Sequence, residues 1–96
     1  MTTQTEQLLA DANTAGVELQ ITDLELALTM LDRADLSDDR ETVRRNRRNA
    51  HAALIAVRVF LGRLEPTSEQ WRRIDPLLTR LASRLDHAAS ISHDLD

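Results

Sequence analysis

Hydrophobic positions recur along the chain at helical intervals in three separate stretches. Val17, Ile21, Leu24, Leu28 and Leu31 follow one another at steps of four and three, which keeps them on one face of an α-helix. The segment NTAG at 13–16 reads as a break before this first helix. Ahead of it, Glu6 to Ala12 can form a short helix of its own. A competing start lies at Thr22, where TDLE makes a capping box with Glu25 at its third position. The alternation of Val17, Leu19 and Ile21 keeps that start open. The second helix is expected to begin at Ser37 or Asp38, because LSDDRE offers a cap and acids that favour the positive helix end. Its stripe is Val43, Arg47, Ala50, Leu54, Val57, Leu61 and Leu64, and Gly62 and Pro66 place its end near Leu64. The third helix begins after Pro66, where TSEQ is a capping box with Gln70 reaching back to Thr67. Trp71, Ile74, Leu78, Leu81, Leu85 and Ala88 carry its stripe.

Pro76 falls inside that third pattern. Proline removes a backbone donor and crowds the carbonyl four residues back, so a continuous helix is expected to kink there. The rival reading restarts a helix with Asp75 as cap and Pro76 as first residue. The tail SISHDLD sets acids at a negative helix end and is expected to fray.

Three stripes with short connections predict an all-α fold, an antiparallel three-helix bundle with room for a short fourth helix at the N-terminus. The expected division is an N-terminal segment over 1–15, the bundle over 16–90 and a frayed tail over 91–96. Leu54, Val57 and Leu61 are expected to be buried against Ile74, Leu78 and Leu81.

Composition sharpens this picture. The chain has 96 residues, one domain by size. Sixteen leucines and only two aromatics, Phe60 and Trp71, suit packed helices better than a sheet. Cysteine is absent, which excludes disulfides and thiolate metal sites, and with it a cytoplasmic address is expected. The start MTTQTEQLLADANTAG has no basic region and no long apolar stretch, so no signal peptide is expected. The apolar run from Ala52 to Val57 is too short to span a bilayer.

Charge is unevenly spread. Residues 1–39 hold nine acids against Arg33, net −8, while residues 40–96 hold eleven arginines against seven acids, net +4. Lysine is absent. The split makes an internal acidic-on-basic contact plausible and weighs against nucleic acid as the partner of the whole protein.

The most concentrated chemistry is RRNRRNAH, Arg44 to His51. At about 100° per residue, Arg40, Arg44, Arg47, Arg48, His51 and Arg58 share an arc of roughly 100°. The expected reading is a polar helix face, with Arg44 and Arg48 tied to acids of the first helix. Arginine also grips carboxylates with two parallel hydrogen bonds, so the same face can take an acidic protein partner. Beside the arginines, Ala52, Ile55 and Val59 form a second apolar strip, outside the arc filled by the main stripe with Ala53, Ala56 and Phe60. Either the N-terminal segment around Leu8 and Leu9 covers it, or another chain does, a homodimer partner included. The candidate partner-binding residues are therefore Arg44, Arg47, Arg48, His51, Ile55 and Val59.

No catalytic residue set emerges. There is no glycine-rich phosphate loop and no nucleophile beside a base. His87 and His93 are six residues apart, on different helix faces, and lack a third ligand, so no metal or cofactor is expected. Trp71 heads the stripe of Ile74 and Leu78 and reads as core.

Two resemblances bear on function. The stretch DLELALTMLDRADLSDDRETVRRNRRNAHAALIAVRVFLGRL, followed by a capped third helix, resembles the three-helix bundles of tetratricopeptide-like and MIT-type domains over roughly residues 17–88. It is also similar to small bacterial helical proteins with RN…A early in the middle helix. That likeness implies a module that binds helices or peptides of other proteins and catalyses nothing. Separately, Arg45-Asn46 followed by His51 resembles the arginine–polar–histidine motif of HEPN ribonucleases. In such an enzyme the histidine and arginine act on the scissile phosphate of RNA, a reasonable chemistry for a proton shuttle beside a fixed cation. The expected function is a small non-enzymatic protein–protein interaction module, an adaptor or regulator, with an RNA-directed protein as the alternative.

Overall fold

A computed structural model describes the backbone of residues 3–95 and the side chains of residues 3–87. All regular structure in this range is helical, in three elements: α1 (Gln4–Leu36), α2 (Arg40–Leu61) and α3 (Ser68–Leu95). Together they make a rod with extents of 61 × 20 × 18 Å.

The expected break at 13–16 does not occur, and no separate N-terminal helix exists. α1 runs unbroken for 33 residues. The start is set further back, by a capping box that the sequence pattern had not singled out. The Glu6 amide donates to Thr3 Oγ1 and the Thr3 amide donates to Glu6 Oε2, both at 3.1 Å. Thr22 is no cap: its hydroxyl donates to the Glu18 carbonyl one turn back, inside the helix. Asn13 and Gly16 are break signals in isolation, but here they are contact points. Asn13 Nδ2 donates to the Glu65 carbonyl at 3.1 Å, and the Glu65 amide donates to Asn13 Oδ1 at 2.8 Å. A β-carbon at position 16 would stand 3.0 Å from Leu64 Cδ2. The glycine thus gives the connection after α2 room to lie against α1.

α2 begins one or two residues later than expected. Asp39 is the N-cap, with its carboxylate accepting from the Thr42 amide at 3.1 Å. Hydrogen bonds from the Thr42 hydroxyl, then from its amide, hold the Asp39 carboxyl below the ordinary range. The Asp39 amide in turn donates to Ser37 Oγ. α2 stops at Leu61 with Gly62 as its C-cap, and Leu64 lies in the turn that follows.

The box at the start of α3 is as expected. The Thr67 amide donates to Gln70 Oε1 at 2.8 Å and the Gln70 amide to Thr67 Oγ1 at 3.1 Å. Pro76 lies inside a continuous α3, so the restart at Asp75 is overturned. The helix extends to Leu95. The side chains of Ala88, His93 and the rest of the tail lie outside the described residues.

The core is one cluster. Val17, Ile21, Leu24, Leu28 and Leu31 from α1 meet Leu54, Val57 and Leu61 from α2 and Ile74 and Leu81 from α3. Trp71, Leu78 and Leu85 pack against it half-buried, Trp71 as core rather than as an anchor. Each large aliphatic side chain taken out of water contributes about 1.5–3 kcal/mol, which is the main term holding the rod together. α1 makes most of its tertiary contacts with α2. Gly16, Ala27 and Ala34 lie on one side of α1, and small side chains let two helix backbones approach. Among the described residues, Gln20 is the only buried polar one. Its Oε1 has no hydrogen-bond partner among the described residues.

Candidate protein-binding surface

The acidic first third of the chain does contact arginines, but those of α3 rather than α2. Arg73 grips Glu18 with two hydrogen bonds, at 2.7 and 3.1 Å. The side-chain hydrogen bond to Glu18, followed by its charge, raises Arg73 above the usual arginine range. Arg84 reaches Asp32 at 2.8 Å, Asp35 at 3.0 Å and the Leu28 carbonyl at 3.4 Å. The expectation that Arg44 and Arg48 are tied to acids of the first helix is therefore corrected. Arg73 and Arg84 sit eleven residues apart on one side of α3, and the acids they reach, Glu18 and Asp32, sit fourteen apart on α1.

The arginines of α2 are left on the surface. Arg44 makes a 3.6 Å pair with Glu41, one turn back on its own helix. Arg45 and Arg48 are exposed and show no ion pair among the described residues, while Arg47 is half-buried at the edge of the core. His51 is exposed. Asn46 is spent inside the helix, donating to the Thr42 carbonyl at 3.0 Å. Arg45 and His51, six residues apart, stand about 120° apart around α2, so one chain does not bring them together on one phosphate.

Next to the arginines, Ile55 is 51% exposed and Val59 49%. Ala52 is exposed beside them. Phe60 and Ala56, expected within the core arc, also face outward, and they widen the strip. The N-terminal segment does not cover it. Leu8 and Leu9 are themselves 63% and 68% exposed, on a part of α1 that reaches beyond the contact of Asn13 with Glu65. Of the six candidate residues, five share the outer side of α2, and Arg47 turns towards the core. The face is apolar in its C-terminal half and basic in its N-terminal half. This is a combination that buries hydrocarbon while holding carboxylates.

A second exposed apolar feature was not anticipated from the sequence. Leu19 and Leu26 stand out from α1 on the side away from its core stripe, in line with Leu8. The signal was present as a second leucine spacing of eleven and seven, masked by the stronger Val17–Leu31 stripe.

Among the described residues no group of three or more histidines and acids is placed to hold a metal ion. No helix there is long and apolar enough to cross a membrane. Compared with protein-family models, curated proteins and solved structures, the chain matches none.

Proposed function

We propose that this chain is a small, non-catalytic protein–protein interaction module of the cytoplasm, an adaptor or regulator, which binds through the outer face of α2. The observation that carries the reading is the exposed strip of Ile55 and Val59 beside Arg45 and Arg48, which pair with no acid among the described residues. Exposed apolar surface rimmed by charge marks interaction sites on small proteins. The proposed architecture is an antiparallel three-helix bundle. Supporting it are the three-residue connection between α1 and α2, and the contacts of residues 13–18 with 64–73 and of residues 28–35 with Arg84. The kinship with tetratricopeptide-like and MIT-type bundles belongs to the same proposal.

The test is capture of partners from the native cell with the wild-type chain and with a double variant, Ile55→Arg with Val59→Arg. Both positions are exposed, so the variant should fold. The reading requires that a specific partner is retained by the wild type and lost by the variant. Equal capture by both would sink it.

A second reading is RNA binding or cleavage through the α2 arginines and His51, favoured by the same freedom of Arg44, Arg45 and Arg48 from the acids of α1. It requires RNA degradation or retention by the purified chain that disappears in His51→Ala or Arg45→Ala. The protein-binding reading requires that neither substitution matters.

A further inference from the structure

The outer faces of α1 and α2 carry two matching seams. On α1, Leu8, Ala12, Ala15, Leu19 and Leu26 fall on a repeat of alternating four- and three-residue steps, with Thr22 completing it, and every one is exposed. On α2, Arg45, Arg48, Ala52, Ile55 and Val59 fall on the same repeat, again all exposed. A spacing of 3.5 residues is that of a seam between two helices wound along each other.

The edges of the two seams carry opposite charge. Immediately before Ala12, Leu19 and Leu26 stand Asp11, Glu18 and Glu25. Immediately before Arg45, Ala52 and Val59 stand Arg44, His51 and Arg58. Each helix as a whole follows suit. α1 has seven acids against Arg33, net −6, and α2 has six arginines against Glu41, net +5. Within one chain the seams cannot meet, because each faces away from the core the two helices share.

We infer that the partner is a second copy of this chain, with the outer seam of α1 on one copy packed antiparallel along the outer seam of α2 on the other. The inference rests on the reading of the α2 face as a protein-binding surface. The repeat fixes the register. Leu19 lies opposite Ile55, Thr22 opposite Ala52 and Ala15 opposite Val59. That register sets Glu18 beside Arg58 and Glu25 beside His51. In a parallel alignment the acidic edge of α1 would instead run along Asn49 and Ala56, and the charges would go unused. Glu18 remains 44% exposed at its side chain although Arg73 holds it, and a carboxylate can accept from two arginines. On a two-fold axis the α1–α2 contact forms twice, once from each copy.

The experiment is sedimentation equilibrium of the full chain over a wide concentration range, with Leu19→Arg, Ile55→Glu and their mixture. Both residues are exposed, so each variant should keep the helical circular dichroism of the wild type. The wild type is expected at a mass of at least twice 10.8 kDa. Each variant alone is expected to fall to the mass of a single chain. Mixing the two restores the larger mass, because the introduced charges then face each other and the second contact is wild type on both sides. A wild type that stays a single chain at every concentration, a variant that keeps the wild-type mass, or a mixture that stays single overturns the inference. If the wild type is a single chain yet captures a partner that Ile55→Arg with Val59→Arg loses, the second copy is ruled out and the α2 reading stands. If nothing is captured either, both fall.

Discussion

Asn13 holds Glu65 by both of its backbone polar groups, donating to the carbonyl at 3.1 Å and accepting from the amide at 2.8 Å. One side chain in mid-helix thereby satisfies a connection 52 residues away that has no ladder of its own. A typical net hydrogen bond contributes about 0.5–1.5 kcal/mol. Asn13→Ala gives up two of them and regains a few tenths through better helix propensity. The expected loss is about 1–2 kcal/mol in urea unfolding. A change below about 0.3 kcal/mol would mean that the clasp is replaced by water at no cost.

Leu54 is buried at the junction of the three helices. Leu54→Ala removes three carbons and leaves a cavity that helices on three sides cannot close. The expected destabilisation is about 2–5 kcal/mol, a large share of what a domain this small has. Thermal or denaturant unfolding measures it, and a loss under about 0.5 kcal/mol would contradict the packing.

Gln20 is 4% exposed, and its Oε1 lacks a partner among the described residues. An unsatisfied buried acceptor costs about 1–3 kcal/mol. Gln20→Met keeps the length of the side chain and removes the amide. It is expected to stabilise the fold by about 1 kcal/mol. A destabilised variant would reveal that the amide is hydrogen-bonded in solution.

Asp39 caps α2, and the bonds from Thr42 hold its carboxyl below the ordinary range. For a carboxyl depressed in the folded state, the stabilisation is present above the unfolded value and is lost as pH falls through the folded one. The stability difference between wild type and Asp39→Ala is therefore expected to be full near neutral pH. It should narrow once pH drops below the ordinary aspartate value of about 4. A difference that stays constant down to the acid limit would show that the ionised carboxylate is not what caps the helix.

The core was legible because it depends on periodicity alone. Val17 to Leu31, Leu54 to Leu61 and Ile74 to Leu81 were each marked by steps of three and four, and each is in the cluster. The Thr67–Gln70 box was legible because both partners lie within one turn. The continuity of α1 was not. Asn13 and Gly16 are poor helix residues locally, and what keeps them helical is a contact with residues 64 and 65, far along the chain. The choice of arginines was also beyond a charge count. Net charge says that acids will attract arginines, whereas the face on which each arginine stands decides which ones arrive. Arg73 and Arg84 face α1, and Arg44 and Arg48 face water.

The clasp of Asn13 on Glu65 also marks a thermodynamic border within one helix. On its C-terminal side, α1 shares a core with α2 and α3, so opening any part of it means opening the bundle. On its N-terminal side, residues 3–12 are all exposed and, among the described residues, are held only by their own backbone ladder, the Thr3–Glu6 box and a bond from Gln7 to Asp11. A helical end of that length without tertiary support is marginal in water. Its amides should therefore exchange with solvent at rates set by local fraying, while those from Val17 onward exchange only through cooperative unfolding. A chain that looks like a single long helix is thus two exchange units, divided at one asparagine.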